Sequence, residues 1–159
     1  AKGEHIPNIV LAGGIAFEDQ IFKAFALCAP YVKAVCMARA PLAAVMVAKT
    51  IGKALESGEV PVFIRRYGTT RESVFITAEE LRRKYGKDYE RIPTAAIGLY
   101  TYYKRLAQGL RQLMCGARKF ALKYITRSDI AALTPEAARV SGIPLVSELD
   151  AEEIEEILG

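Results

Sequence analysis

Two short turns carry the residue types that could bind a phosphate group. Gly13 and Gly14 follow the apolar run 10–12, and Ala38 and Arg39 follow the apolar run 32–37. Glycine lets a backbone turn sharply and approach a ligand closely, and an arginine guanidinium can grip phosphate oxygens. A helix N-terminus after each turn would favour an anion. The chemistry indicated is phosphate binding, although Gly-Gly after a strand is also a common tight turn.

The elements around these turns are predicted by hydrophobic spacing. Residues 10–12 and 32–37 are typical of strands, and the short apolar run 10–12 is typical of a strand buried on both faces. About 20 residues separate the two strand centres, as suits a right-handed crossover between parallel strands. A helix is predicted over 18–27, with its apolar face formed by Ile21, Phe22, Phe25 and Ala26. A second helix opens near Pro41 and stops at Gly58.

The sequence allows two interpretations of the secondary structure in the middle of the chain. Residues 60–77 fit a hairpin around Gly68, or equally an extended excursion with a short helix. Thr77 with Glu80 has the spacing of a capping box for a helix that ends at Gly86.

A long helix is predicted from a Thr94 cap to about Phe120. Apolar residues recur there in alternating steps of three and four, which is a heptad stripe. Its members are Tyr103, Leu106, Leu110, Leu113, Ala117, Phe120 and Tyr124. We expect the stripe to face the core, and an exposed seam for self-association is the alternative. A short helix opened by Thr134 and closed by Gly142 follows.

Composition limits the classes of function. The chain has 159 residues, of which 52% are hydrophobic and 25% charged, as in one globular domain. A run of about 18 apolar residues is missing, so no membrane span is expected. Three cysteines without CxxC spacing are typical of a reducing cytosol, and we expect a cytoplasmic protein. His5 is the only histidine, which argues against a multi-histidine metal site. The missing initiator Met fits a start inside a longer reading frame, or Met removal.

Charge is distributed unevenly around a net value of +4. Residues 101–127 hold seven basic residues and no acid: Lys104, Arg105, Arg111, Arg118, Lys119, Lys123 and Arg127. Residues 148–159 hold six acids and no base: Glu148, Asp150, Glu152, Glu153, Glu155 and Glu156. The acidic tail could fold back on the basic helix, or the basic face could bind RNA, another polyanion or an acidic partner.

Two long segments resemble a known family. The run GGIAFEDQIFKAFALCAPYVKAV at 13–35 and the run GLYTYYKRLAQGLRQLMCGARKF at 98–120 are similar to the C-terminal stretch of FMN-binding glutamate synthase-type proteins. The motifs EDQIFKA and GARKF are the specific part. The similarity extends from about residue 8 to residue 158.

The resemblance implies an α/β fold in which residues 1–58 are the last two β/α units of an FMN-binding (β/α)8 TIM-type barrel. Residues 59–93 would be an excursion with a short helix, and residues 94–159 a mainly helical C-terminal appendage. It implies that the turns Gly13-Gly14 and Cys36-Met37-Ala38-Arg39 hold the FMN phosphate. The parent enzyme would be an oxidoreductase that makes glutamate reductively from 2-oxoglutarate and ammonia.

The resemblance also sets expectations about cofactors and partners. The iron–sulfur cysteines of the large glutamate synthases would fall in 43–58, which contains no cysteine, so we expect no such cluster and no other metal site. The expected partner is the remainder of the barrel, from the same or another chain, and a homo-oligomer through the long helix is a further option. We expect this segment alone to hold no catalytic residue and to be inactive. A stand-alone basic α/β module that binds RNA or another polyanion, not an enzyme, is the less favoured alternative.

Overall fold

The computed structural model describes residues 8–149 and 151–158, so His5 lies outside the described residues. The fold is mixed α/β and mostly helical. Its elements are β1 (Ile9–Ala12), α1 (Glu18–Leu27), β2 (Val32–Cys36), α2 (Arg39–Ser57), α3 (Val62–Arg65), α4 (Arg71–Val74), α5 (Ala78–Tyr85), α6 (Thr94–Gly116), α7 (Pro135–Ser141) and α8 (Ala151–Leu158). Short 3-10 helices occupy Gly86–Arg91, Leu122–Tyr124, Arg127–Asp129 and Val146–Glu148.

The chain divides into two compact units that alternate along the sequence. The first contains β1, Asp19–Cys36 and the chain from Leu110 onward. The second contains Gly13–Glu18 and Met37–Gly109. The domain boundaries expected after residues 58 and 93 stay a prediction.

The first unit holds a parallel sheet, which has two strands in the described part of the chain. Its register pairs Val10 with Ala34 and Ala12 with Cys36. The prediction that residues 10–12 are buried on both faces is wrong, since Val10 is 52% exposed. Both strands lie at an edge of the described sheet, since no further described strand pairs with β1 or β2. The predicted apolar face of α1 is confirmed, because its four residues are all buried.

The second unit has its core between α2, α5 and α6. Buried side chains from these helices and their connections form one cluster: Ala48, Phe75, Ala78, Leu81, Tyr89 and Ile97. Tyr89 and Ile97 are fully buried. Helices α2 and α6 approach closely at Gly98, where an added Cβ would lie 2.1 Å from the Ala48 Cβ. Glycine is therefore a packing requirement of this helix contact.

For residues 60–77 the sequence allowed either a hairpin or an extended excursion with a short helix. The structure has the short helices α3 and α4 there and no hairpin. Helix α5 begins after Thr77 and ends at Gly86, as predicted, but Thr77 makes no side-chain cap. Its hydroxyl instead bonds the Thr101 hydroxyl at 2.7 Å. A tertiary partner has thus replaced the local capping bond.

Helix α6 differs from its prediction in both extent and buried face. Thr94 is its first residue, and it ends at Gly116, four residues before Phe120. Of the heptad stripe only Leu106 is buried, whereas Phe120 is 84% exposed and Tyr103 44% exposed. The buried residues of α6 are Ile97, Gly98, Leu106 and Gly109. Close approach of other elements at the two glycines selects this face.

Two predicted helix ends are confirmed. Helix α2 stops at Gly58, which adopts the left-handed conformation. Helix α7 opens with Thr134, whose hydroxyl accepts a hydrogen bond from the Ala137 amide at 3.1 Å, and it closes at Gly142. Both signals lie close in sequence to the helix ends that they mark.

Candidate phosphate-binding turns

The first turn is open to a ligand along its backbone. Gly13 and Gly14 are exposed and have φ angles of 111° and 70°. Apart from the adjoining residues of the chain, no described residue lies within 4 Å of the position that a Cβ would take at either glycine. A side chain would be strained in this conformation and would fill that space. The two glycines therefore form a shallow cradle in which a ligand could approach the main chain.

The second turn leads directly into the N-terminus of α2. Ala38 precedes the helix and provides no side-chain cap, and the first turn of α2 contains no acidic residue. The Leu42 amide already donates to the Ala38 carbonyl at 3.2 Å, and Pro41 has no N–H. The amides of Arg39 and Ala40, in the first helical turn, have no intrahelical acceptor. This helix end can accept an anion.

Tyr102 of α6 contacts Ala16, two residues beyond the first turn, and Met37 of the second turn, all within the second unit. Its hydroxyl donates to the Ala16 carbonyl at 2.6 Å and lies 3.9 Å from the Met37 sulfur. Ala16, Ala40 and Tyr102 also line one mainly apolar cavity of about 410 Å³. Burial raises the pKa of Tyr102, so the hydroxyl keeps its proton at neutral pH. Sequence reasoning missed this residue, because periodicity selected the neighbouring Tyr103.

The predicted site residues fall in two places. Gly13, Gly14, Met37, Ala38 and Arg39 all belong to the second unit, whereas Cys36 is the exposed last residue of β2 in the first. Arg39 is exposed, and no hydrogen bond or ion pair joins it to another residue in the described part of the chain. Its guanidinium is thus available to an anion at the start of α2.

Some basic residues of the segment 101–127, here called the basic region, form ion pairs within the fold. Lys104 pairs with Glu80 at 2.8 Å, and this contact raises the pKa of Lys104. Lys119 pairs with Asp129 at 3.4 Å. These contacts within the fold reduce the positive charge offered to a polyanion.

The acidic tail is described only in part. Among the described side chains, Glu148, Glu155 and Glu156 form no ion pair with the basic region. Asp150 lies outside the described residues, as do the side chains of Glu152 and Glu153. Contact between the tail and the basic region therefore stays a prediction.

Arg127 stabilises the first unit, and its replacement is expected to show this. Its guanidinium donates to the Leu27 carbonyl at 2.9 Å and to the Ser141 carbonyl, at the last residues of α1 and α7. Arg127→Ala should lower the free energy of unfolding by about 1 kcal/mol, since charged bonds to helix-end carbonyls are lost at an exposed position. Chemical denaturation measures this change. Arg111→Ala, which removes an exposed arginine of α6, is the control, and equal losses in both variants would contradict the assignment.

The described residues contain no group of three or more histidine, cysteine, aspartate or glutamate side chains arranged to hold a metal ion. None of the described helices has the length and apolar character needed to cross a membrane. Comparison with known protein families, curated proteins and solved structures finds no match to this chain.

Proposed function

We propose that this chain supplies the FMN phosphate site of a flavin-dependent oxidoreductase of the glutamate synthase type. The observation that carries the proposal is the uncapped start of α2, with an exposed Arg39, in the same unit as the Gly13-Gly14 turn. Tyr102 of the long helix α6 contacts Ala16, two residues beyond the first turn, and Met37 of the second. The family resemblance of residues 13–35 and 98–120 supplies the choice of FMN among phosphate-bearing ligands.

The residues present fit a phosphate group. The open backbone at Gly13 and Gly14 leaves room for the oxygens that a Cβ would displace. The first-turn amides of α2 and the Arg39 guanidinium would donate to those oxygens. Bound FMN would supply electron transfer. The residues of this chain would bind and orient its phosphate, and none of them acts as an acid or base.

The exposed parallel sheet supports a role as part of a barrel. Ile9 and Val10 are 39% and 52% exposed, and the outer edges of β1 and β2 pair with no described strand. Such edges accept further strands readily. We propose that β1-α1 and β2-α2 are the last two β/α units of a (β/α)8 barrel and that the remaining strands complete it, from the same or another chain. Catalytic groups would then come from that remainder.

A pair of glycine variants tests the phosphate site. Gly14→Asp should weaken FMN binding at least about tenfold, because the carboxylate would repel the phosphate and fill the cradle. Riboflavin, which lacks the phosphate, should bind the wild-type and variant proteins equally. Flavin fluorescence during titration measures both affinities. Gly58→Asp is the matched control, since Gly58 has φ 75° and the same open surroundings at the other end of α2.

The outcomes separate clearly. FMN binding that exceeds riboflavin binding and falls only in Gly14→Asp supports the proposal. FMN and riboflavin that bind equally, or fail to bind, overturn it. An equal loss in Gly14→Asp and Gly58→Asp would assign the effect to backbone strain.

A further inference from the structure

We propose that Tyr102 is the positioning residue that holds the Gly13-Gly14 turn in place against the start of α2. This inference rests on the proposed phosphate site and assigns a role to a residue outside its two turns. The side chain comes from α6, 86 positions along the chain from Ala16. It therefore supplies a long-range restraint on a short surface turn.

The hydrogen bond to the Ala16 carbonyl uses the one proton of the Tyr102 hydroxyl. At 2.6 Å it is at the short end of O–H···O distances. The Met37 sulfur at 3.9 Å then makes only a contact with the same oxygen. Tyr102 thus anchors the first turn by a bond and meets the second turn by packing.

The position of Tyr102 is set by two close contacts of α6. Gly98, one helical turn earlier, lies against Ala48 of α2. Gly109, two turns later, lies against the Glu18 side chain at the start of α1, where an added Cβ would be 2.6 Å from its Cγ. Residues spaced by four and seven share one helix face. The same face that approaches α2 and Glu18 therefore presents the hydroxyl to Ala16, two residues before Glu18 in sequence.

Such an anchor matters because the turn contains two adjacent glycines. Glycine has more conformational freedom than any other residue, and ordering it on binding costs entropy. A bond to Ala16, two residues beyond Gly14, restricts the turn before a phosphate arrives. Pre-ordering of this kind raises affinity without any contact to the ligand.

Inorganic phosphate is the probe for the test, and backbone amide NMR of the full chain is the measurement. In the wild-type protein, phosphate should shift the amides of Gly13, Gly14 and Arg39 in a saturable manner. Tyr102→Phe keeps the ring and removes only the hydroxyl, and it should weaken phosphate binding about fivefold. Even without phosphate, it should shift the Gly13 and Gly14 amides while the Gly58 amide stays unchanged.

Two control variants separate positioning from general stability. Tyr103→Phe removes the hydroxyl of the adjacent tyrosine and should leave phosphate affinity unchanged. The ring centroids of Tyr102 and Tyr103 are 5.5 Å apart. Tyr100→Phe removes an α6 hydroxyl that donates to Glu80 at 2.8 Å, away from both turns, and should also leave phosphate affinity unchanged. A role limited to stability would lower the melting temperature of Tyr102→Phe without altering phosphate affinity in the folded protein.

Each result has one meaning. Phosphate affinity of Tyr102→Phe within about twofold of wild type overturns the positioning role and leaves the proposed function intact. A wild-type protein without saturable shifts at the two turns overturns the phosphate site and the positioning role together. The FMN and riboflavin titration reports on the flavin assignment separately.

Discussion

Gly98→Ala is expected to lower the free energy of unfolding by about 1–3 kcal/mol, although it introduces a better helix former. The new Cβ would lie 2.1 Å from the Ala48 Cβ and 3.5 Å from its Cα. These atoms belong to the helix α2 itself and cannot rotate away. Either the helices must separate or the core around Phe75 must move, and both reduce packing. Chemical denaturation of the two proteins measures the loss.

A double-mutant cycle isolates this contact. Ala48→Gly removes the methyl group that the new side chain would meet, so adding it to Gly98→Ala should recover most of the clash energy. Gly109→Ala is the second control, since the atoms nearest to its Cβ would be side-chain atoms of Glu18, which can rotate away. We expect that variant to be close to neutral. Additive effects in the cycle would show that α2 and α6 do not touch at these positions.

The stability of the second unit is expected to decrease above pH 10 because of Tyr89. Burial, followed by the neighbouring Glu72 carboxylate, raises the pKa of Tyr89 from 10.0 to about 12. Because the pKa of Tyr89 is higher in the folded than in the unfolded state, its contribution to stability is fully present below pH 10.0. That contribution is lost as the pH rises through about 12. The pKa difference corresponds to about 3 kcal/mol. Ionisation of the fully buried Tyr89 therefore favours unfolding.

Tyr89→Phe tests this pH dependence. Its free energy of unfolding should fall less than that of the wild type across the same alkaline range. At neutral pH it should change little, because the Tyr89 hydroxyl is buried and forms no hydrogen bond of normal geometry with another described residue. The control is Tyr85→Phe, which removes the hydroxyl of a residue that is 45% exposed and nearby in sequence. Parallel alkaline losses in wild type and Tyr89→Phe would contradict the assignment.

The helices and strands around the candidate site could be predicted from local sequence. The extent of α1 and its buried face follow from apolar spacing, and the end of α2 follows from Gly58. The positions of both turns follow because each lies between a short apolar run and a helix. The parallel pairing follows from the crossover length. These features depend on residues close together in the chain, whose preferences act before the fold is complete.

Other features depend on partners distant in sequence. Thr77 has a capping pattern, yet its hydroxyl bonds Thr101, and the heptad stripe of α6 is less buried than the face that contains Gly98. Periodicity does not predict whether another element packs closely against a glycine, because this depends on the shape of the neighbouring element.

The sequence by itself therefore determined where the two turns lie and which groups they could offer a phosphate. Only the tertiary structure decided that Tyr102 contacts Ala16 and Met37 and that Gly13, Gly14 and Arg39 belong to one compact unit. The physical reason is that backbone conformation and helix ends are set by neighbouring residues. The meeting of α6 with Ala16 and Met37 instead arises when side chains far apart in the chain are packed together.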